Sequence, residues 1–154
     1  MKVIRATEEY TRKNVRDDST SMYIFTDNTD RDSGKTPIPK SSWYLEKYGP
    51  GKHYPSMTTA LIRGLDNAFP ITTQHWYNAE HKGLTGRWTD EDFEEFKKVI
   101  DDDFDEIYRN AHRFNQIVFP IGGIFNSTIS QLNNIRTPKL YSYLLEKCKT
   151  LLTF

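Results

Sequence analysis

The stretch from Asn115 to Leu132, NQIVFPIGGIFNSTISQL, sets the firmest limit on the architecture. Ile117, Val118 and Phe119 form a β-branched and aromatic run with no polar alternation, the pattern of a strand buried on both faces. Such a strand needs a layer on either side, so the rest of the chain has to supply helices for two faces. Gly122 and Gly123 follow at its carboxyl end, where a residue without a Cβ lets the backbone approach a ligand closely. Asn126, Ser127 and Thr128 then offer side-chain donors and a helix N-cap. In open α/β sheets ligands bind outside the carboxyl ends of the strands, so this stretch reads as half of a binding crevice.

The remaining patterns supply the layers. Val3, Ile4 and Ala6 suit a short first strand, and the charged residues up to Ser21 read as an edge or a connection. Met22-Tyr23-Ile24-Phe25 is a clearer strand, ending in a polar loop over residues 26–34. Four prolines (37, 39, 50, 55) and two glycines mark residues 35–55 as a long loop. Residues 56–67 read as a helix capped by Ser56, with Met57, Ala60, Leu61, Gly64 and Leu65 on one face and Gly64 allowing close packing on the sheet. Phe69 to Thr73 reads as a strand near an edge, because Pro70 has no donor. From Thr89 to His112, Phe93, Phe96, Ile100, Phe104, Ile107 and Ala111 recur at intervals of three and four behind a capping box at Thr89. The acidic run at Asp101, Asp102, Asp103, Asp105 and Glu106 reads as the solvated side of that helix. Thr137 and Pro138 open a last helix, with Leu140, Leu144, Cys148 and Leu151 on its apolar face. Strands alternating with helices imply α/β: one three-layer domain over residues 1–154, with a mostly parallel, Rossmann-type central sheet flanked by helices.

Composition narrows the function. Lys plus Arg (21) equal Asp plus Glu (21), which gives no electrostatic case for nucleic acid or an anionic membrane. No apolar run approaches the ~20 residues that span a bilayer. The first residues lack a signal peptide's apolar segment, and a single Cys148 excludes an internal disulfide; a cytoplasmic protein is expected. Ser33-Gly34-Lys35-Thr36 follows a strand as a phosphate-binding loop would. However, Thr29 stands where that motif needs its first glycine, and Pro37 and Pro39 oppose the helix that should begin there. His53, His75, His81 and His112 show no metal-ligand spacing, so neither metal nor cofactor is expected. The loops at residues 26–34 and 122–128 have complementary chemistry if their strands are parallel neighbours. Backbone amides at Gly122 and Gly123 would cradle a phosphate while Asp27 or Asn28 fixes a sugar or base. The crevice therefore requires the strands that end at Phe25 and Phe119 to run side by side in the same direction.

Taken in order, Phe25-Thr26-Asp27-Asn28, a helix from Thr58 to Asn67, Ala68-Phe69-Pro70-Ile71-Thr72-Thr73, a long acidic helix and Ile117-Val118-Phe119-Pro120-Ile121-Gly122-Gly123 resemble the macro domain and its shorter phage and bacterial relatives. The resemblance spans roughly residues 23–152. It implies binding of ADP-ribose or a related nucleotide-like, phosphate-bearing molecule at the carboxyl ends of the strands, with a host-cytoplasm setting if phage-encoded. Asn28 falls on the ligand-contacting asparagine, and residues 122–126 fall on the loop that wraps the diphosphate. The first loop departs from the family by carrying Asp30, Arg31 and Asp32 with only Gly34. The expected ligand contacts are Thr26, Asn28, Arg31, Ser33, Gly34, Gly122, Gly123, Asn126 and Ser127, with Arg31 facing phosphate charge. If the site is hydrolytic, Asp27 is the residue expected to position water. The competing expectation is a non-enzymatic interaction protein that keeps the fold and meets a protein partner through Ser41–Tyr54.

Overall fold

The structure is a computed structural model that describes residues 1–28, 62–74, 89–124, 132 and 137–154. Among these residues four strands, β1 (Lys2–Arg5), β2 (Ser21–Asn28), β3 (Ala68–Gln74) and β4 (Gln116–Phe119), form one sheet in the order β1-β4-β2-β3. Every neighbouring pair runs parallel. The expectation on which the crevice depends is met: β2 and β4 are adjacent, with Met22 opposite Ile117 and Tyr23 opposite Val118. Three helices accompany the sheet: α1 (Arg12–Asp17), α2 (Phe93–Asn110) and α3 (Pro138–Leu152).

The period of two along each strand divides the side chains between two cores. Met22, Ile24, Phe69, Ile71 and Ile117 pack against Phe96, Ile100, Phe104 and Ile107 of α2 and Leu140, Leu144 and Leu151 of α3. Phe25 and Val118, on the opposite face, pack with Tyr10, with Val15 of α1 and with Ile62, and Tyr23 and Leu65 close against them. Burying one such aliphatic or aromatic side chain contributes roughly 1.5–3 kcal/mol, so the expected apolar stripe of α2 suffices to hold it on the sheet. α1, between β1 and β2, and Ile62 and Leu65, just before β3, lie on one face. The chain returns from β3 through α2 to β4 on the other. A reversal of direction coupled to a change of face is what a single crossover handedness demands.

Local departures have physical reasons. The charged segment before Ser21 holds β1 and α1; α1 is capped by Thr11, whose Oγ accepts from the Asn14 amide at 3.0 Å, and it buries only Val15. Residues 56–61 of the expected helix lie outside the described residues, and its remainder, 62–67, makes turns. There Ile62 and Arg63 are buried, while Gly64 is exposed with φ of 90°. Gly64 thus serves a left-handed turn, which favours glycine, instead of packing on the sheet. Thr89 makes no capping bond; a 3-10 turn at Asp90–Asp92 leads into α2. Asp103 leaves the expected solvated face: it is buried, and its Oδ2 accepts from the Thr72 amide at 2.7 Å. Asp101 turns toward α3, where it accepts from the Tyr143 hydroxyl and faces Lys147.

Candidate functional site

β2 and β4 are parallel neighbours, and the described residues that next follow them pack on opposite faces. Ile124 and α3, after β4, lie on the α2 side, whereas Ile62, the first described residue after β2, lies on the α1 side. Such a divergence between parallel neighbours is where open α/β sheets form their crevices. The two strands are paired as far as Tyr23 and Val118. β4 ends at Phe119 while β2 continues to Asn28, with a register irregularity between Asp27 and Asn28. Irregularities of this kind re-aim side chains and gather near functional sites. At the base of the crevice, Tyr10 Oη donates to the Ile24 carbonyl at 2.8 Å and lies 3.2 Å from the Val118 carbonyl. Burial, followed by the nearby Tyr23, pushes its ionisation far above the ordinary phenol value, so the hydroxyl remains a donor.

Asp27 is not the solvent-facing carboxylate that a water-positioning role needs. Its side chain is 0% exposed and that of Arg63 9%. The Arg63 guanidinium holds both carboxylate oxygens: Nε donates to Oδ2 at 2.7 Å and Nη2 donates to Oδ1. A forked guanidinium matches the two oxygens of a carboxylate, and a buried carboxylate is tolerated only with such a partner. Arg12 Nη1 in turn donates to the Arg63 carbonyl at 2.9 Å, and Asn67 Nδ2 donates to the carbonyls of Val15, Asp18 and Ser21. The end of β2 is thereby tied to α1 and to the approach to β3. Thr26, on the α2 side of the same strand, is half-buried.

Beyond β4, Gly123 donates its N–H to the Pro120 carbonyl at 2.9 Å with φ of 72°. A Cβ built there meets nothing within 4 Å, so the conformation and not space selects glycine. With its amide committed to closing the turn, Gly123 contributes shape, and Gly122 is the exposed member of the pair. Ile124 is buried against the α2–α3 core and lines a mostly apolar groove of about 340 Å³ with Val3, Phe119, Leu145 and Cys148. Burial pushes the Cys148 thiol up to about 12, leaving it protonated and unreactive. The N-terminus of α3, which a phosphate would favour, is already occupied: Asp90 accepts from the amides of Lys139 (2.9 Å) and Leu140 (3.1 Å).

Of the expected contacts, Thr26, Gly122 and Gly123 share the carboxyl edge of the sheet. Asn28 has its backbone there at the end of β2. Arg31, Ser33, Gly34, Asn126 and Ser127 lie outside the described residues, as do the loop at 35–55 and the Ser41–Tyr54 surface. A larger cleft of about 470 Å³, lined by Phe25, Arg63, Pro70, Asp103, Glu106 and Arg109, opens beside β3 and α2 and includes the arginine that holds Asp27. Sequence reasoning missed Arg63 and Tyr10. Arg63 stands beside Gly64 of the expected apolar face and carries no motif, whereas the proline at 120, which leaves a strand carbonyl seeking a donor, was a usable signal for Tyr10. Among the described residues no group of three His, Cys, Asp or Glu side chains could hold a metal ion, and no helix is long and apolar enough to cross a membrane.

No curated protein and no solved structure matches the chain. A family model does, over residues 5–147, which takes in β2, β3, β4, α1, α2, most of α3 and only the last residue of β1. The chain belongs to that family, described as a family of unknown function (DUF7831).

Proposed function

We propose that this chain binds a nucleotide-like, phosphate-bearing ligand, ADP-ribose or a related molecule, in the crevice beyond the carboxyl ends of β2 and β4. The observation that carries the reading is the parallel adjacency of those two strands, with the next described residues after each, Ile62 and Ile124, packed on opposite faces of the sheet. The bulge at Asp27/Asn28 and the left-handed turn at Gly123 lend it further support. In this reading Thr26 and Asn28 contact the sugar or base, and Arg31, Ser33 and Gly34 belong to the loop over it. Gly122, Gly123, Asn126 and Ser127 then serve the phosphates. The relation to macro domains is part of the same proposal, as is a reducing, cytoplasmic setting. Hydrolysis is left out of it, because Asp27 is held by Arg63.

The test is a thermal-shift and calorimetric titration with ADP-ribose, NAD and cyclic nucleotides. A ligand at a hundred times its Kd adds about 2.7 kcal/mol, which for a domain of this size raises Tm by roughly 5–11 °C. Asn28→Ala should abolish the shift without lowering the Tm of the free protein. If none of the ligands moves Tm and none gives heat of binding, the nucleotide reading is refuted.

A further inference from the structure

We propose that Tyr10 is a positioning residue of the crevice: its hydroxyl sits where Pro120 stops β2 and β4 from zipping together, and keeps their ends apart. The inference rests on the nucleotide reading for its ligand, and on the sheet alone for its geometry. With Tyr23 opposite Val118, the next bridge would set Ile24 opposite Phe119 and would need an N–H at position 120 to reach the Ile24 carbonyl. Proline has none. Ile24 is fully buried, and a buried carbonyl without a donor is unfavourable. The Tyr10 hydroxyl supplies that donor at 2.8 Å and stands 3.2 Å from the Val118 carbonyl across the gap.

The surroundings fix the hydroxyl in place. The Tyr10 ring is buried and meets Tyr23 edge-on at 5.3 Å, and Thr11, the next residue, caps α1. Pro120 is itself buried, so water has little access to the missing ladder bond. A residue between β1 and α1 therefore sets the spacing between the turn bearing Gly122 and Gly123 and the end of β2 bearing Thr26. Without the hydroxyl and with a donor at position 120, the ladder would gain a bridge and the crevice would narrow.

Four variants decide it: Tyr10→Phe, Pro120→Ala, the double variant, and Tyr23→Phe as a control that loses only the Tyr23–Asp18 bond. Each is measured for its urea midpoint and, where it is fully folded, for ADP-ribose affinity by calorimetry. Tyr10→Phe is expected to lower the midpoint and to weaken ADP-ribose on the order of tenfold, as misplaced binding groups do. Adding Pro120→Ala is expected to restore the midpoint, because position 120 now donates to Ile24, but not the affinity. Tyr23→Phe should leave affinity unchanged. A purely structural hydroxyl would have both properties restored together; that result, or a silent Tyr10→Phe, overturns the proposal. If the unaltered protein binds no ADP-ribose, the ligand reading fails by itself. The spacing role is then decided by the midpoint of the double variant, recovery supporting it and no recovery overturning it.

Discussion

Removing the guanidinium of Arg63 tests how the end of β2 is held. Its partner Asp27 has no exposed side-chain surface, and Arg63 itself shows only 9%. Arg63→Met therefore leaves a carboxylate without its main compensating charge inside the protein. Breaking one side of a buried pair costs about 3–5 kcal/mol, a large share of the roughly 5–15 kcal/mol that holds a domain together. For a chain of this length the loss corresponds to a fall in Tm of roughly 6–20 °C. Arg63→Lys keeps the charge but not the fork that serves both oxygens, so it should fall between the two. The double variant Asp27→Leu/Arg63→Met removes both charges and should recover most of the loss, giving a coupling energy above about 2 kcal/mol. Urea denaturation of these three variants, of Asp27→Leu alone and of the unaltered protein measures all of this. If Arg63→Met lies within about 1 kcal/mol of the unaltered protein, or if the two single losses simply add, the pair does not anchor β2 and the reasoning is wrong.

Other substitutions probe independent features. Asp90→Ala removes the carboxylate that receives two amides of α3 and should cost about 1 kcal/mol in urea denaturation, whereas Thr89→Ala, with no capping bond, should cost much less. Tyr108 Oη is buried with no hydrogen-bond partner among the described residues, so Tyr108→Phe should leave Tm unchanged or raised, with the ring contact to Phe154 at 4.9 Å kept. Asp103→Ala frees the Thr72 amide and should lower stability by about 1–3 kcal/mol; light scattering should also show more self-association. The folded protein holds Cys148 protonated up to about 12 against an ordinary 9.0, so above pH 9 the unfolded state loses its proton first. Stability should be intact below that pH and fall as pH rises toward 12, joined above pH 10 by Tyr10 and Tyr23, which burial shifts the same way. Cys148→Ala should flatten the first part of that decline in urea midpoints taken from pH 8 to 11.

The elements that were legible in the chain are those whose signal is periodic. The Phe96, Ile100, Phe104 and Ile107 stripe specified the buried side of α2, and Ile117 to Phe119 specified a strand covered twice. Pro70 pointed to an edge, and β3 is one of the two outer strands among the described residues, β1 being the other. The features that escaped depend on partners far along the chain. Asp103 counts as one more acid in a run until Thr72, 31 residues away, is brought beneath it. Asp90 looks like the opening of its own helix but caps another 49 and 50 residues on. Asp27 was read as catalytic by residue type and Arg63 was not singled out, and only their pairing across 36 residues shows both to be interior. α1 was hidden for a different reason: six residues with one buried side chain leave no period to detect.

These placements also constrain how the crevice can hold an anion. Helix N-termini are the usual source of positive potential for a phosphate, yet each described helix has spent its own. Thr11 caps α1, acids crowd the first turn of α2, and Asp90 closes α3. The nearest buried cation at the end of β2, Arg63, is engaged by Asp27. For the ligand proposed above, the N-termini of the described helices therefore offer no free positive end at the β2–β4 edge. Gly123 has already committed its N–H, and Gly122 is the exposed member of that pair. In the proposed reading, affinity depends on how far apart the two strands are held. For that reason the donor that Tyr10 provides, at a position where proline cannot provide one, bears on the ligand as well as on the sheet.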